Sequence, residues 1–170
     1  PSDHIILNNE KFIDVINKCT AFVQSHDSLV TIGMKPTKPS TGYGYIQFEE
    51  ETNNGEFHTV KTFTEKPSLD IAKTFIKSGD FLWNSGMFVW KASTLLDAVK
   101  KYLPEIHEAF REGSKYYNTP SEINFIREAY SQCTNISIDY GVMEKADNVF
   151  TIPAQFGWSD IGSWDSLYEV

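Results

Sequence analysis

Apolar residues at Phe12, Val15, Ile16, Cys19, Phe22 and Val23 recur every three or four positions, which predicts a helix over 10–26. A short apolar run, Leu29–Met34, reads as a strand. The next stretch, MKPTKPSTGYGY, holds two prolines and two glycines and reads as a loop. Residues 45–50 and 57–64 read as strands joined in a hairpin across ETNNGE. Ser68 stands where it could cap a helix over 69–78 that gathers Leu69, Ala72, Phe75 and Ile76 on one face. A strand over 81–92 follows, then helices over 94–103 and 104–112, the second opening at Pro104. Thr119, Pro120, Ser121 and Glu122 form a capping box with proline at the first helical position, and its helix carries Ile123, Ile126 and Tyr130. A short helix over 137–146, a strand over 149–156 and a helix start over 163–170 complete the pattern. Strands mixed with helices in this order imply an α/β layered domain.

One strand breaks its own pattern. Residues 81–90 read FLWNSGMFVW, with Asn84, Ser85 and Gly86 at the centre of a greasy segment. A buried amide without partners costs about 1–3 kcal/mol. Either the protein or a ligand must supply them.

Composition narrows the function. The chain has 170 residues, 41% hydrophobic and 22% charged, enough for a single domain with a proper core. A net charge of −8 argues against nucleic acid as a partner, because phosphate backbones call for clustered Lys and Arg. A phosphorylated small substrate stays open, since one or two local cations suffice for it. Cys19 and Cys133 lie far apart without metal-ligand spacing and read as buried free thiols. With no apolar run long enough to span a bilayer and no signal-peptide pattern, the expectation is a cytoplasmic protein without a membrane partner. The chain starts with Pro1 instead of Met, and the expectation is a piece of something longer.

Four polar places invite both a structural and a chemical reading. Asp3 and His4 precede the apolar Ile5, Ile6 and Leu7, as a surface turn or as a site. In TGYGY (41–45), glycines beside aromatics make a tight turn or let backbone approach a ligand. In FTEKP (63–67), Glu65 and Lys66 end a strand. Alternation would send their side chains to opposite faces, whereas a bend at the strand end would bring both to one cleft. In FGWSDIGSW (156–164), Asp160 is flanked by tryptophans and glycines, as a helix cap or as a functional carboxylate.

Taken in order, PSDH, PTKPSTGYGYI, FTEKP, WNSGMFVW, SIDYGVMEK and FGWSDIGSW resemble the nucleotidyltransferase domain of mannose-1-phosphate guanylyltransferases. Six ordered motifs from Pro1 to Trp164 make the match highly specific. The resemblance implies a Rossmann-like α/β fold, a mixed central sheet flanked by helices. The family's glycine-rich nucleotide loop, of the form GGxGTRLxPxSxxxxPK, does not occur in this sequence. Residues 1–170 are therefore expected to be one partial domain, incomplete at both ends, that carries the sugar-phosphate and metal-binding part. Alone it is expected to lack turnover, and an unpaired sheet edge would favour self-association, so a homo-oligomer is one expectation.

The resemblance also implies the reaction: GTP and mannose 1-phosphate give GDP-mannose and pyrophosphate. It implies Mg²⁺ on the carboxylates of Asp3 and Asp160, and catalysis carried by Asp3, Lys66 and Asp160. Lys66 would face the sugar phosphate and Glu65 the sugar hydroxyls. Asn84 would bond the hexose, which is then the missing partner of the strand's amide. Gly86 would let neighbouring backbone pass closely, the Gly44 amide would touch the sugar, and Tyr43 or Tyr45 would wall the pocket. Asp139 belongs to the substrate pocket by family pattern, with a helix-start carboxylate as the structural alternative. Two other functions stay open: a sister enzyme using glucose 1-phosphate, and a non-catalytic sugar-phosphate-binding module.

Overall fold

The structure is a computed structural model that describes residues 3–51, 54–162 and 164–168. The chain divides into two compact units, Pro1–Lys91 with Asn148–Val170, and Ala92–Asp147.

In the first unit the order is β1 (Ile5–Ile6), α1 (Asn9–Ser25), β2 (Leu29–Met34), β3 (Tyr45–Phe48), β4 (His58–Thr64), α2 (Leu69–Ser78) and β5 (Phe81–Trp90). The second unit carries α3 (Ala92–Tyr102), α4 (Pro104–Arg111), α5 (Glu122–Gln132) and a π-helical turn at Asp139–Met143. The chain then returns to the first unit with β6 (Val149–Ala154), β7 (Trp158–Ser159) and α6 (Trp164–Tyr168). Thr52 and Asn53 of the expected hairpin turn lie outside the described residues, as do Ser163 and residues 169–170 of the expected last helix.

The sheet is mixed, as the resemblance implies. β2 runs antiparallel to β5 and parallel to β6, while β3 runs antiparallel to both β4 and β5. His58 and Thr59 then pair with Thr151 and Phe150, so the five strands close in the order β2-β5-β3-β4-β6. Every residue of β2 is buried, as a central strand covered on both faces requires. The apolar stripe of α1 places Cys19, Phe22 and Val23 in the same core as Val30, Ile32, Tyr45, Trp83 and Phe156. Cys19 is buried there as a free thiol, and burial pushes its pKa up to about 12. β1 and β7 form a separate two-stranded ribbon.

Several local expectations are corrected. The Ser68 side chain makes no capping hydrogen bond. The capping box sits earlier than its sequence implies. Helix α5 starts at Glu122, so Pro120 is not its first residue, and the Glu122 carboxylate accepts from the Asn118 N–H at 2.8 Å. Ile123 and Tyr130 are exposed, while Ala129 is the buried residue of that helix. The short helix over 137–146 is a single π turn in which the Glu144 N–H donates to the Asp139 carbonyl at 2.9 Å.

Candidate active site

The ribbon of β1 and β7 joins the two ends of the first unit. Ile5 lies opposite Ser159 and Ile6 opposite Trp158, so the residues before Ile5 run beside those after Ser159. The Trp158 Nε1–H donates to His4 Nδ1 at 3.0 Å, which fixes that nitrogen as an acceptor. Burial holds the His4 pKa below its usual value, while the carboxylates of Asp3 and Asp160 both pull it upward. Both carboxylates thus act on one imidazole, although they stand at opposite ends of the sequence. Pro1 and Ser2 of the PSDH motif lie outside the described residues.

A second cluster forms where β3, β4 and β5 meet. Tyr45 pairs with Thr64 on one side and Trp83 on the other, so Gly44, Glu65 and Asn84 are the next residues along their strands. The Asn84 N–H donates to the Gly44 carbonyl at 2.8 Å. A Cβ on Gly44 would collide with the Glu65 carboxylate and lie 3.4 Å from the Asn84 Cβ. The absent side chain is what lets Glu65 sit against the loop. Lys66 has φ 44°, a left-handed conformation that costs a non-glycine residue about 1–3 kcal/mol. That bend overrides strand alternation, and the Lys66 ammonium lies 3.6 Å from the Glu65 carboxylate.

The polar centre of β5 has a structural answer. Thr31 faces Phe88, but Gly33 faces Asn84, so Ser85, Gly86 and Met87 all stand opposite Ile32. This is a bulge, and polar side chains replace the broken ladder. The Ser85 hydroxyl donates to the Ile32 carbonyl at 2.6 Å and accepts from the Met87 N–H at 3.3 Å. Asn84 Oδ1 accepts from the Thr31 hydroxyl at 3.1 Å and the Gly86 N–H at 3.2 Å. Because the Gly86 N–H can only donate, the oxygen of the carboxamide must point at it. The carboxamide oxygen therefore has protein partners in Thr31 and Gly86, so the bulge accounts for that oxygen in a greasy strand. Gly86 has φ 69° and nothing within 4 Å of a Cβ, so its turn selects glycine, not a close backbone approach.

The TGYGY loop bridges the two clusters. Gly44 touches Glu65 and Asn84, while the neighbouring Tyr43 donates its hydroxyl to Asp160 Oδ1 at 3.0 Å. The Tyr43 ring packs against Trp83 and Trp158, with centroids at 4.9 and 5.4 Å. Tyr45 is fully buried instead, and its hydroxyl pins both the N–H and the carbonyl of Ser40. Of the two tyrosines, Tyr43 is therefore the one beside Asp160.

The sequence profile described as Nucleotidyl transferase matches residues 1–170. The chain belongs to the nucleotidyl transferase family. A mannose-1-phosphate guanylyltransferase of Escherichia coli (strain K12) is 38% identical over 99% of this chain. The xanthan biosynthesis protein XanB of Xanthomonas campestris pv. campestris (strain B100) is 39% identical over 100% of it. The match takes in 36% of each, so this nucleotidyl transferase chain spans about a third of those relatives' length. A crystal structure from Thermus thermophilus, described as a mannose-1-phosphate geranyltransferase, has a TM-score of 0.86 at 32% identity and covers 99% of this chain and 47% of its own. One from Helicobacter pylori, described as a mannose-6-phosphate isomerase, has a TM-score of 0.78 at 32% identity and covers 94% and 62%.

A divalent cation suits the donor chemistry of the ribbon end. Asp160 Oδ1 accepts from both Tyr43 and the Gly162 N–H, the latter at 3.0 Å, and no described residue donates to Oδ2. Among the described residues no group of three or more His, Cys, Asp or Glu side chains forms a full metal cage. Mg²⁺ fits that arrangement, because it takes one or two carboxylates and fills its other positions with water and phosphate oxygens. Asp139 belongs to the second unit, where its residue opens the π turn. Sequence reasoning missed Thr31, whose hydroxyl orients Asn84, because nothing local marks a strand threonine as a partner for a residue so distant in the chain.

Proposed function

We propose that residues 1–170 supply the sugar-phosphate and metal-binding part of an enzyme that transfers GMP from GTP to mannose 1-phosphate, releasing pyrophosphate. The observation that carries this reading is the loop in which Tyr43 reaches Asp160 while Gly44 reaches Glu65 and Asn84. A carboxylate suited to a cation thus stands beside a cluster of polar groups that suits a hexose. The 38% identity to a mannose-1-phosphate guanylyltransferase supports the choice of sugar.

The reaction needs no protein nucleophile. A phosphate oxygen of mannose 1-phosphate attacks the α-phosphorus of GTP in line, and pyrophosphate leaves. The protein must hold two anions that repel each other. Lys66 extends from an exposed strand end, with its side chain 64% exposed, and binds the sugar phosphate as a compact charge. Glu65 accepts from sugar hydroxyls, Gly44 offers its backbone N–H, and Asn84 presents an amide whose orientation Thr31 and Gly86 fix. Asp3 and Asp160 would hold Mg²⁺, and the bound cation would supply charge neutralisation at the α-phosphate. A substrate-binding role for Asp139 is a further part of this proposal. So is a cytoplasmic location; no helix among the described residues is long and apolar enough to cross a membrane.

The test is pyrophosphate release by the whole enzyme to which residues 1–170 contribute, with GTP, Mg²⁺ and either mannose 1-phosphate or glucose 1-phosphate. Faster release with mannose 1-phosphate is expected. Preference for glucose 1-phosphate overturns the choice of sugar, and release with neither overturns the transferase.

A further inference from the structure

We propose that Tyr43 is a positioning residue that pins one oxygen of Asp160 so that the other faces a divalent cation. The proposal rests on the reading of Asp160 as a metal carboxylate. An aspartate side chain turns about two torsions, and a metal ligand gains from having both fixed. Here Oδ1 takes two donors, the Tyr43 hydroxyl and the Gly162 N–H, each at 3.0 Å. Oδ2 takes none from any described residue. Such an asymmetric arrangement leaves one lone-pair-rich oxygen outward with its direction set by hydrogen bonds to the other.

The phenol itself is held by packing. Its ring lies edge-on to Trp83, which is 7% exposed, and tilted against Trp158. Trp158 is in turn tied to His4 through its indole N–H. The hydroxyl is thus carried on a ring with little room to swing. On the other side of the carboxylate the backbone is constrained as well. Ile161 has φ 50°, unfavourable for a β-branched residue, and its N–H donates to Ser159 Oγ at 3.3 Å. Side chain and backbone together fix the aspartate from both directions.

The probe is Mn²⁺, titrated into the native polypeptide and followed by the electron paramagnetic resonance signal of the free ion. Tyr43→Phe keeps the ring contacts and removes the donor. Its Mn²⁺ dissociation constant is expected to rise about tenfold, the usual effect of losing a partner behind a metal ligand. The metal concentration for half-maximal activity should rise in step, while the KM for mannose 1-phosphate and the melting temperature stay put. A merely structural role would move those last two. Asp160→Asn is run beside it. If Asp160→Asn binds Mn²⁺ like the wild type, the metal reading fails and this proposal with it. If Asp160→Asn loses Mn²⁺ and Tyr43→Phe does not, the Tyr43 proposal alone is overturned. Should Tyr43→Phe not fold, 3-fluorotyrosine placed at position 43 keeps the hydroxyl and reports on it. Its ¹⁹F resonance should shift when Mg²⁺ is added, and an unmoved resonance contradicts the proposal.

Discussion

Asp160 and Lys66 stand on either side of the TGYGY loop, and the protein holds them in opposite ways. Asp160 has one oxygen fixed by two hydrogen bonds and a phenol wedged between tryptophans. Lys66 has a 3.6 Å ion pair with Glu65 and a side chain that is 64% exposed. An ion pair that open contributes little, because water screens it and two long side chains must be ordered to make it. The difference suits the two tasks. A cation demands a carboxylate at a set distance and angle, whereas a phosphate can be met by a point charge at the end of a flexible arm. What is fixed at Lys66 is its backbone, held in a left-handed conformation at the end of β4.

Removing charge at the fixed side should have the largest effect. Asp160→Asn keeps shape and both hydrogen bonds to Oδ1, so its melting temperature should match the wild type while kcat falls about 100-fold or more. A thermal melt and a rate at saturating Mg²⁺ check this, and a near-normal rate would remove Asp160 from the metal site. Gly44→Ala probes the loop between the two sides. Its methyl group would displace the Glu65 carboxylate, the end of a flexible side chain, so the KM for mannose 1-phosphate should rise about tenfold while Mn²⁺ affinity stays unchanged. Loss of both together would mean that the two clusters are not separable. A change in stability, smaller than either of these effects, is expected from Lys66→Gly, which relieves the left-handed strain at the cost of unfolded-state entropy. It should raise stability by up to about 1 kcal/mol in a denaturant titration while weakening sugar-phosphate binding. A destabilised variant would mean that the strain is not real or is offset by contacts of the lysine stem.

The elements of the first unit were legible because their signals are local. The stripe of Phe12, Ile16, Cys19 and Phe22 and the apolar run of β2 each carry their own period. The hairpin of β3 and β4 even places Glu65 one step beyond the pair Tyr45–Thr64, next to Gly44. Asn84 joins them only through the pairing of β3 with β5, which no local pattern encodes. The same holds for the partners of Asn84 and Ser85, which come from Thr31 and Ile32 on β2. A polar triplet in an apolar strand looks like a ligand site when its neighbour strand is unknown, and here it is first of all a bulge. In α5 the failure was different. Glu122 reaches back as a capping box requires, but to Asn118, which has φ 62°, so the turn before the helix absorbs the proline.

The most direct test of the account is the split between kcat and KM in two variants of the native polypeptide, followed by pyrophosphate release from GTP and mannose 1-phosphate. Lys66→Ala should weaken mannose 1-phosphate by about 1.5–3 kcal/mol, the range for a charge-assisted contact, and leave the KM for GTP nearly unchanged. Asp160→Asn should lower kcat at saturating Mg²⁺ and leave the KM for mannose 1-phosphate within about twofold. Opposite signatures support a fixed metal carboxylate beside a reaching phosphate lysine. Equal losses for both substrates in both variants would contradict it and reduce the site to general electrostatics.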